Sequence, residues 1–171
     1  MGARIAAAFG CRHPSLISGT VLIDPPVNRP GQREVYLNAL SMFLSQKEAV
    51  DRGEMERFRS FFPSFSDEQV EERAEEYRNV SLHALVESYE SLLREPFQVF
   101  VRMLDVPALL LAAELGDTIR ESELKVLKQL RPGMRTERIQ GVGHMIYKEA
   151  PALTAEYIIS FIEGLDIAAA Q

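Results

Sequence analysis

Cysteine is almost missing from this chain: Cys11 stands alone. No intrachain disulfide is possible, so the fold has to be held by its core, and Cys11 reads as a small apolar packing residue. A single thiol also fits a reducing, cytoplasmic setting. Tryptophan is absent, and no stretch approaches the roughly 18 consecutive apolar residues of a membrane helix. No membrane partner is therefore expected. Met1 to Phe9 is apolar but lacks the basic leader of a secretory signal. Basic clusters are also lacking. The 19 Lys+Arg are scattered among 25 Asp+Glu, for a formal net charge of -6, which argues against nucleic acid as a partner. The 3 histidines lie far apart and lack ligand spacing, so no metal site is expected and no cofactor is implied. What remains is an ordinary globular composition, 46% hydrophobic in 171 residues, enough for one sizeable core.

Along the chain, residues 2–12 read as a helix of small residues, with Ile5, Ala8 and Phe9 at the spacing of one buried face. His13-Pro14 ends it, because the residue before proline avoids the helical region. Gly19-Thr20-Val21-Leu22-Ile23-Asp24-Pro25-Pro26 follows. A short apolar run without polar alternation predicts a strand buried on both faces of a parallel sheet. The prolines stop it, leaving Asp24 at the carboxyl end, where α/β sheets place their ligands. Residues 33–95 read as helical throughout. Within them Ser66-Asp67-Glu68-Gln69 has capping-box form, with Val70, Ala74 and Tyr77 as one stripe behind it. Ser81 reads as the cap of a helix bearing Leu82, Leu85, Val86, Tyr89, Leu92 and Leu93, with His83 a surface or packing residue. Pro96 closes the block.

From Val106 a strand–helix rhythm returns. Residues 107–113 predict a second buried strand, 121–130 a helix with Leu124, Leu127 and Leu130, and 135–139 a third strand. The turn Gly141-Val142-Gly143-His144 leads to a last amphipathic helix marked by Ala155, Ile158, Ile159, Ile162 and Leu165. Strands alternating with helices imply a parallel sheet. Three strands are few for one, and the first helix has no strand before it, so further strands upstream are expected.

Two positions suit proton transfer. His144, between a strand and a helix and preceded by glycines, is free to reach a site at the strand ends, and imidazole titrates near neutrality. Its bland alternative is a loop histidine bonded to a carbonyl. Asp24, braced by Pro25-Pro26, can orient an imidazole, or it can cap its own turn as Asp-Pro pairs do. By position alone, Glu114 and Asp117 after the second strand compete for the same role. Ser66 is better placed as a helix cap than as a nucleophile.

A more specific reading comes from Met1-Gly2-Ala3-Arg4, the small-residue helix, His13-Pro14 and Val21-Leu22-Ile23-Asp24-Pro25. This order resembles an α/β-hydrolase just downstream of its nucleophile elbow, the G-x-S-x-G turn. Met1-Gly2 match the last two positions of that motif, and Gly141-Val142-Gly143-His144-Met145 matches the histidine loop. Within the superfamily the chain is similar to N-formylmaleamate deformylase-like hydrolases, through Met1-Gly2-Ala3-Arg4, Asp24-Pro25-Pro26-Val27, Pro30-Gly31, Ser66-Asp67-Glu68-Gln69 and Gly143-His144-Met145-Ile146.

The resemblance implies a partial α/β-hydrolase fold, the second half of a parallel sheet with flanking helices. Residues 1–32 and 96–171 would form the core and 33–95 an inserted helical lid. It places the triad base at His144 and the acid at Asp24. Many relatives put the acid one strand later, where Asp117 lies, but here Ala113 stands where glycine is common and Asp117 comes one residue late. The serine would precede Met1, whose backbone N–H would be one oxyanion donor. The chain as given would then lack turnover, although the complete enzyme would cleave a small amide, formamide or ester. Arg4, Arg29 and Arg33 are candidates to pair with a substrate carboxylate. The competing readings are a non-catalytic chain that self-associates through an open sheet edge, and a helical interaction module centred on residues 33–95.

Overall fold

The computed structural model describes residues 1–27 and 39–169. The chain divides into two compact units, Met1–Val35 with Leu92–Gln171, and Tyr36–Ser91.

The first unit is built on three parallel strands in the order β1-β2-β3. They are β1 (Thr20–Ile23), β2 (Ala108–Ala113) and β3 (Arg135–Ile139), with Thr20 opposite Ala108 and Leu109 opposite Arg135. All six residues of the central strand are buried, which explains its uninterrupted apolar sequence: helices cover both faces. One face packs Leu110 and Ala112 with Leu22, Phe97, Leu104, Leu124 and Leu127. The other packs Leu109, Leu111 and Ala113 with Ile139, Val142, Ile146 and Phe161. Alternate residues of β2 thus feed two cores, the period-2 consequence of the pleat.

The helices of this unit are α1 (Gly2–Arg12), α6 (Phe97–Met103), α7 (Glu121–Leu130), α8 (Ile146–Glu149) and α9 (Pro151–Ala169). α1 turns a different face inward from the one its pattern predicts. Arg4, Ala7 and Gly10 are buried, whereas Ile5 and Phe9 are exposed. The close approach is at Gly10, where a Cβ would stand 2.7 Å from Leu104 Cδ1. Ile5 and Phe9 instead line an open groove with Gly2, Ala6, Ile17, Gly19, Thr20 and Val21, alongside the edge strand β1. In α9, similarly, Thr154 and Phe161 are buried while Ile159 and Ile162 are exposed. Residues 97–103, left unassigned by the sequence pattern after Pro96, form α6, whose Phe97 and Val101 are fully buried.

The second unit holds α2 (Ala39–Asp51), α3 (Met55–Ser60), α4 (Asp67–Asn79) and most of α5 (Leu82–Arg94). The capping box forms as its sequence dictates. Ser66 Oγ accepts from Gln69 N–H at 3.2 Å and Gln69 Oε1 accepts from Ser66 N–H at 2.9 Å. Behind it Val70, Ala74 and Tyr77 are buried, and the Tyr77 hydroxyl donates to Oε1 of buried Gln46. Ser81 Oγ accepts from Ala84 N–H at 3.1 Å and caps α5. None of the apolar stripe of α5 is fully buried, and Leu82 and Leu93 are exposed. The periodicity located this helix.

Candidate active site

Asp24 follows the last residue of β1 and continues the ladder, its N–H donating to Leu111 O at 2.8 Å. Its side chain is fully buried. Its φ is +40°, in the left-handed region that only glycine and, less readily, Asn and Asp enter. Strain of this sort persists where surrounding contacts over-determine a residue, and two such contacts are visible. Oδ1 accepts the N–H of Ala113, at the end of the neighbouring strand, at 3.0 Å. Oδ2 lies 2.8 Å from His144 Nδ1. The residues are 120 positions apart in sequence and are joined because parallel strands end on the same side of the sheet.

His144 arrives on the loop after β3. Gly141 there has φ +72°, a conformation glycine adopts without penalty, and Val142 tucks into the core. The imidazole is about half exposed, at 44%, so the ring is held through Nδ1 while part of it faces outward. Thr118, which is buried, sets its hydroxyl 3.4 Å from the same nitrogen. At that separation it is the weaker partner, and the short contact to Asp24 fixes the ring. A carboxylate accepting from Nδ1–H leaves Nε2 as the basic nitrogen, the tautomer that proton abstraction requires.

The other candidates fall as follows. Both carboxylate oxygens of Asp117 are taken by Arg120, at 2.6 and 2.8 Å. Glu114, the second competitor, accepts from Gly141 N–H at 2.8 Å. Arg4 is buried and donates from Nη1 to Pro26 O at 3.1 Å. It therefore braces the turn that follows Asp24, while Nη2 is buried without a hydrogen-bond partner among the described residues. Burial pushes the guanidinium pKa down, and Glu95 opposes the shift. Met1 is the N-cap of α1, its carbonyl accepting from Arg4 and Ile5 N–H. Its amine is pushed down in pKa by burial and by Arg4. Arg29 and Arg33 lie outside the described residues. Among the described residues no group of three or more His, Cys, Asp or Glu is arranged to hold a metal ion, and no helix is long and apolar enough to cross a membrane. Thr118 and the Ala113 amide were not foreseen. Neither has a sequence signature, since both act through where the sheet delivers them.

No protein-family model matches the sequence. A search of curated proteins finds N-formylmaleamate deformylase of Pseudomonas putida, 29% identical over 147 residues. Among solved structures, the N-formylmaleamic acid deformylase of Pseudomonas putida S16 superposes with a TM-score of 0.79 at 27% identity. The chain has a partial α/β-hydrolase fold. E-2-(acetamidomethylene)succinate hydrolase shares the α/β-hydrolase fold at a TM-score of 0.71 and 19% identity. An esterase of Exiguobacterium antarcticum does so at 0.73 and 15%. The matches cover 85% of this chain for both deformylases, 95% for the succinate hydrolase and 94% for the esterase. The chain spans about half the length of the curated deformylase, 54%, and 57 to 63% of the three solved structures. In this α/β-hydrolase unit the Asp24–His144 pair stands at the carboxyl ends of parallel strands, where open α/β sheets bind their ligands.

Proposed function

We propose that Asp24 and His144 are the acid and the general base of a serine-type hydrolase that cleaves a small amide, formamide or ester. The 2.8 Å contact between His144 Nδ1 and the buried Asp24 Oδ2 carries this reading. In such a mechanism Nε2 removes the proton of a serine hydroxyl as its oxygen attacks the carbonyl carbon. The same proton then passes to the departing nitrogen or oxygen, and Asp24 steadies the imidazolium without being protonated itself. In this reading a serine would immediately precede Met1, the Met1 backbone N–H would be one oxyanion donor, and the N-terminal end of α1 would add a favourable field. Residues 33–95 would serve as the lid segment. Arg4, Arg29 and Arg33 are the candidates to meet a substrate carboxylate, and the deformylase likeness favours a formamide.

The test is made on protein captured from its native source through the C-terminal sequence. A mass above 19.3 kDa is expected, with a Gly-x-Ser peptide before Met1 and formamide turnover. That turnover should vanish in His144→Ala and in Asp24→Asn while surviving in Asp117→Asn. The 171-residue chain alone should show none. Activity that survives His144→Ala overturns the assignment.

A second, non-catalytic reading has one observation in its favour. β1 is an edge strand of the described sheet, flanked by exposed Ile5 and Phe9, as a self-associating surface would be. A native mass of 19.3 kDa with a dimeric sedimentation profile would select it.

A further inference from the structure

We propose that Glu149 and Glu114 are positioning residues, a pair of carboxylate clamps that set the loop presenting His144. The proposal rests on the acid–base reading of Asp24 and His144.

The loop has two amides that its own turn does not satisfy, and each is met by a carboxylate from a different element. Gly143 N–H donates to Glu149 Oε2 at 2.8 Å, and Gly141 N–H donates to Glu114 Oε2 at 2.8 Å. Both distances are at the short end for N–H···O, as expected when the acceptor is charged. The Glu149 carboxylate lies directly over Gly143: a Cβ built there would stand 3.1 Å from Oε1. Between the two clamps Val142 is buried, and its carbonyl accepts from Leu115 N–H at 2.9 Å. Three consecutive residues before His144 are thereby fixed. Unclamped, this glycine-rich segment would lose more backbone freedom on ordering than any other composition.

The clamps themselves have firm bases. Glu149 closes α8, the single turn that begins two residues after His144. Its N–H returns to Met145 O at 3.0 Å, and Ile146 beneath it is fully buried. The chain thus forms a ring in which the carboxylate six residues on reaches back to the residue before the histidine. Glu114 leaves the end of β2, where its N–H donates to Ile139 O at 3.0 Å. Arg138 of β3 donates to Glu114 O at 3.3 Å and to Ile119 O at 3.2 Å. That loop also carries Thr118 to the His144 ring. A displaced loop would take Nδ1 off Asp24, because the contact at 2.8 Å leaves little slack before a hydrogen bond is lost.

The experiment reads the Nδ1 proton of His144 by nuclear magnetic resonance in the 171-residue chain, so it needs no turnover. The unsubstituted chain should give an Asp24-dependent Nδ1–H resonance, absent in Asp24→Ala. In Glu149→Ala and in Glu114→Ala that proton should exchange with solvent about fivefold faster, the effect of one modest hydrogen bond. Glu149→Gln should restore the slow rate, since its amide oxygen still accepts. Should the alanine variants fail to fold, Glu149→Asp replaces them. Its shorter arm draws the carboxylate back from Gly143 and should give an intermediate rate. Unchanged exchange in the variants that fold, or failure of Gln to rescue, overturns the clamp while the acid–base reading stands. Absence of any Asp24-dependent resonance in the unsubstituted chain overturns both.

Discussion

Asp24 does two jobs that substitution can separate. In Asp24→Ala the Ala113 amide, 3% exposed at the end of the central strand, loses the acceptor it has at 3.0 Å. A buried donor left without a partner costs about 1–3 kcal/mol. Alanine must also sit at φ +40° without the local hydrogen bonding that lets Asp and Asn tolerate that region, a further ~1 kcal/mol. The expected loss is therefore about 2–4 kcal/mol. Asp24→Asn keeps an oxygen for the Ala113 amide and keeps the backbone tolerance, so most of that loss should not occur. Asp24→Gly recovers the backbone part alone and should fall between them. In thermal unfolding of the 171-residue chain, followed by far-UV circular dichroism, the Asn and Ala variants should differ by about 4–16 °C in Tm, at about 2–4 °C per kcal/mol for a chain of this size. On the proposed function, Asp24→Asn should nevertheless cut kcat by on the order of 10⁴, because the amide no longer selects the right imidazole tautomer. Equal stability of the Asn and Ala variants would refute the claim that the carboxylate holds the strand end as well as the histidine.

Two further outcomes are expected. Tyr77, on α4, has its pKa pushed up by burial. The folded state therefore holds the phenolic proton where the unfolded chain releases it, so stability contributed by Tyr77 is full below about pH 10 and is lost as the pH rises beyond. Urea titrations between neutral and alkaline pH should show this decline, and Tyr77→Phe should flatten it while costing about 1–2 kcal/mol at neutral pH through the Gln46 acceptor it strands. Cys11 has its thiol pushed up in pKa by burial, against Arg131 and Arg12, and donates to Phe100 O at 3.2 Å. Iodoacetamide should alkylate it more slowly than a free thiol at pH 8 and at the ordinary rate in urea. Rapid reaction in the folded chain would show that the thiol is not held there.

The architecture was legible where local chemistry and tertiary packing ask for the same residues. The run 108–113 is apolar on both sides of the pleat because both faces are covered, and a pattern of that kind has few other solutions. Ser66 and Gln69 cap α4 through bonds spanning three residues, which sequence spacing records directly. Legibility failed where orientation depends on a distant surface. Ile5 and Phe9 form the more hydrophobic side of α1, yet Arg4, Ala7 and Gly10 face inward, toward partners far off in sequence such as Leu104, which a Cβ on Gly10 would approach to 2.7 Å. The site divides the same way. Asp24 at a strand end and His144 in a glycine-rich turn can be picked from sequence, and the structure brings these two together. Thr118, the Ala113 amide and the Glu149 clamp depend on how three strands and a loop converge, and no local pattern announces them. Asp117 and Glu114 were plausible by position, although the turn pattern already weighed against Asp117; in the structure they meet Arg120 and the Gly141 amide, whereas Asp24 meets His144.

The positive φ at Asp24 has a consequence at the level of the gene. Of the side chains that tolerate this backbone, only aspartate and asparagine also carry an oxygen that can receive the Ala113 amide. Their codons differ by a single base. One transition thus separates a chain that folds and orients its histidine from one that keeps most of its stability but no longer selects the right imidazole tautomer. Selection for solubility or abundance alone would not see the change, so a lineage released from selection on turnover should accumulate asparagine here before the sheet itself begins to decay.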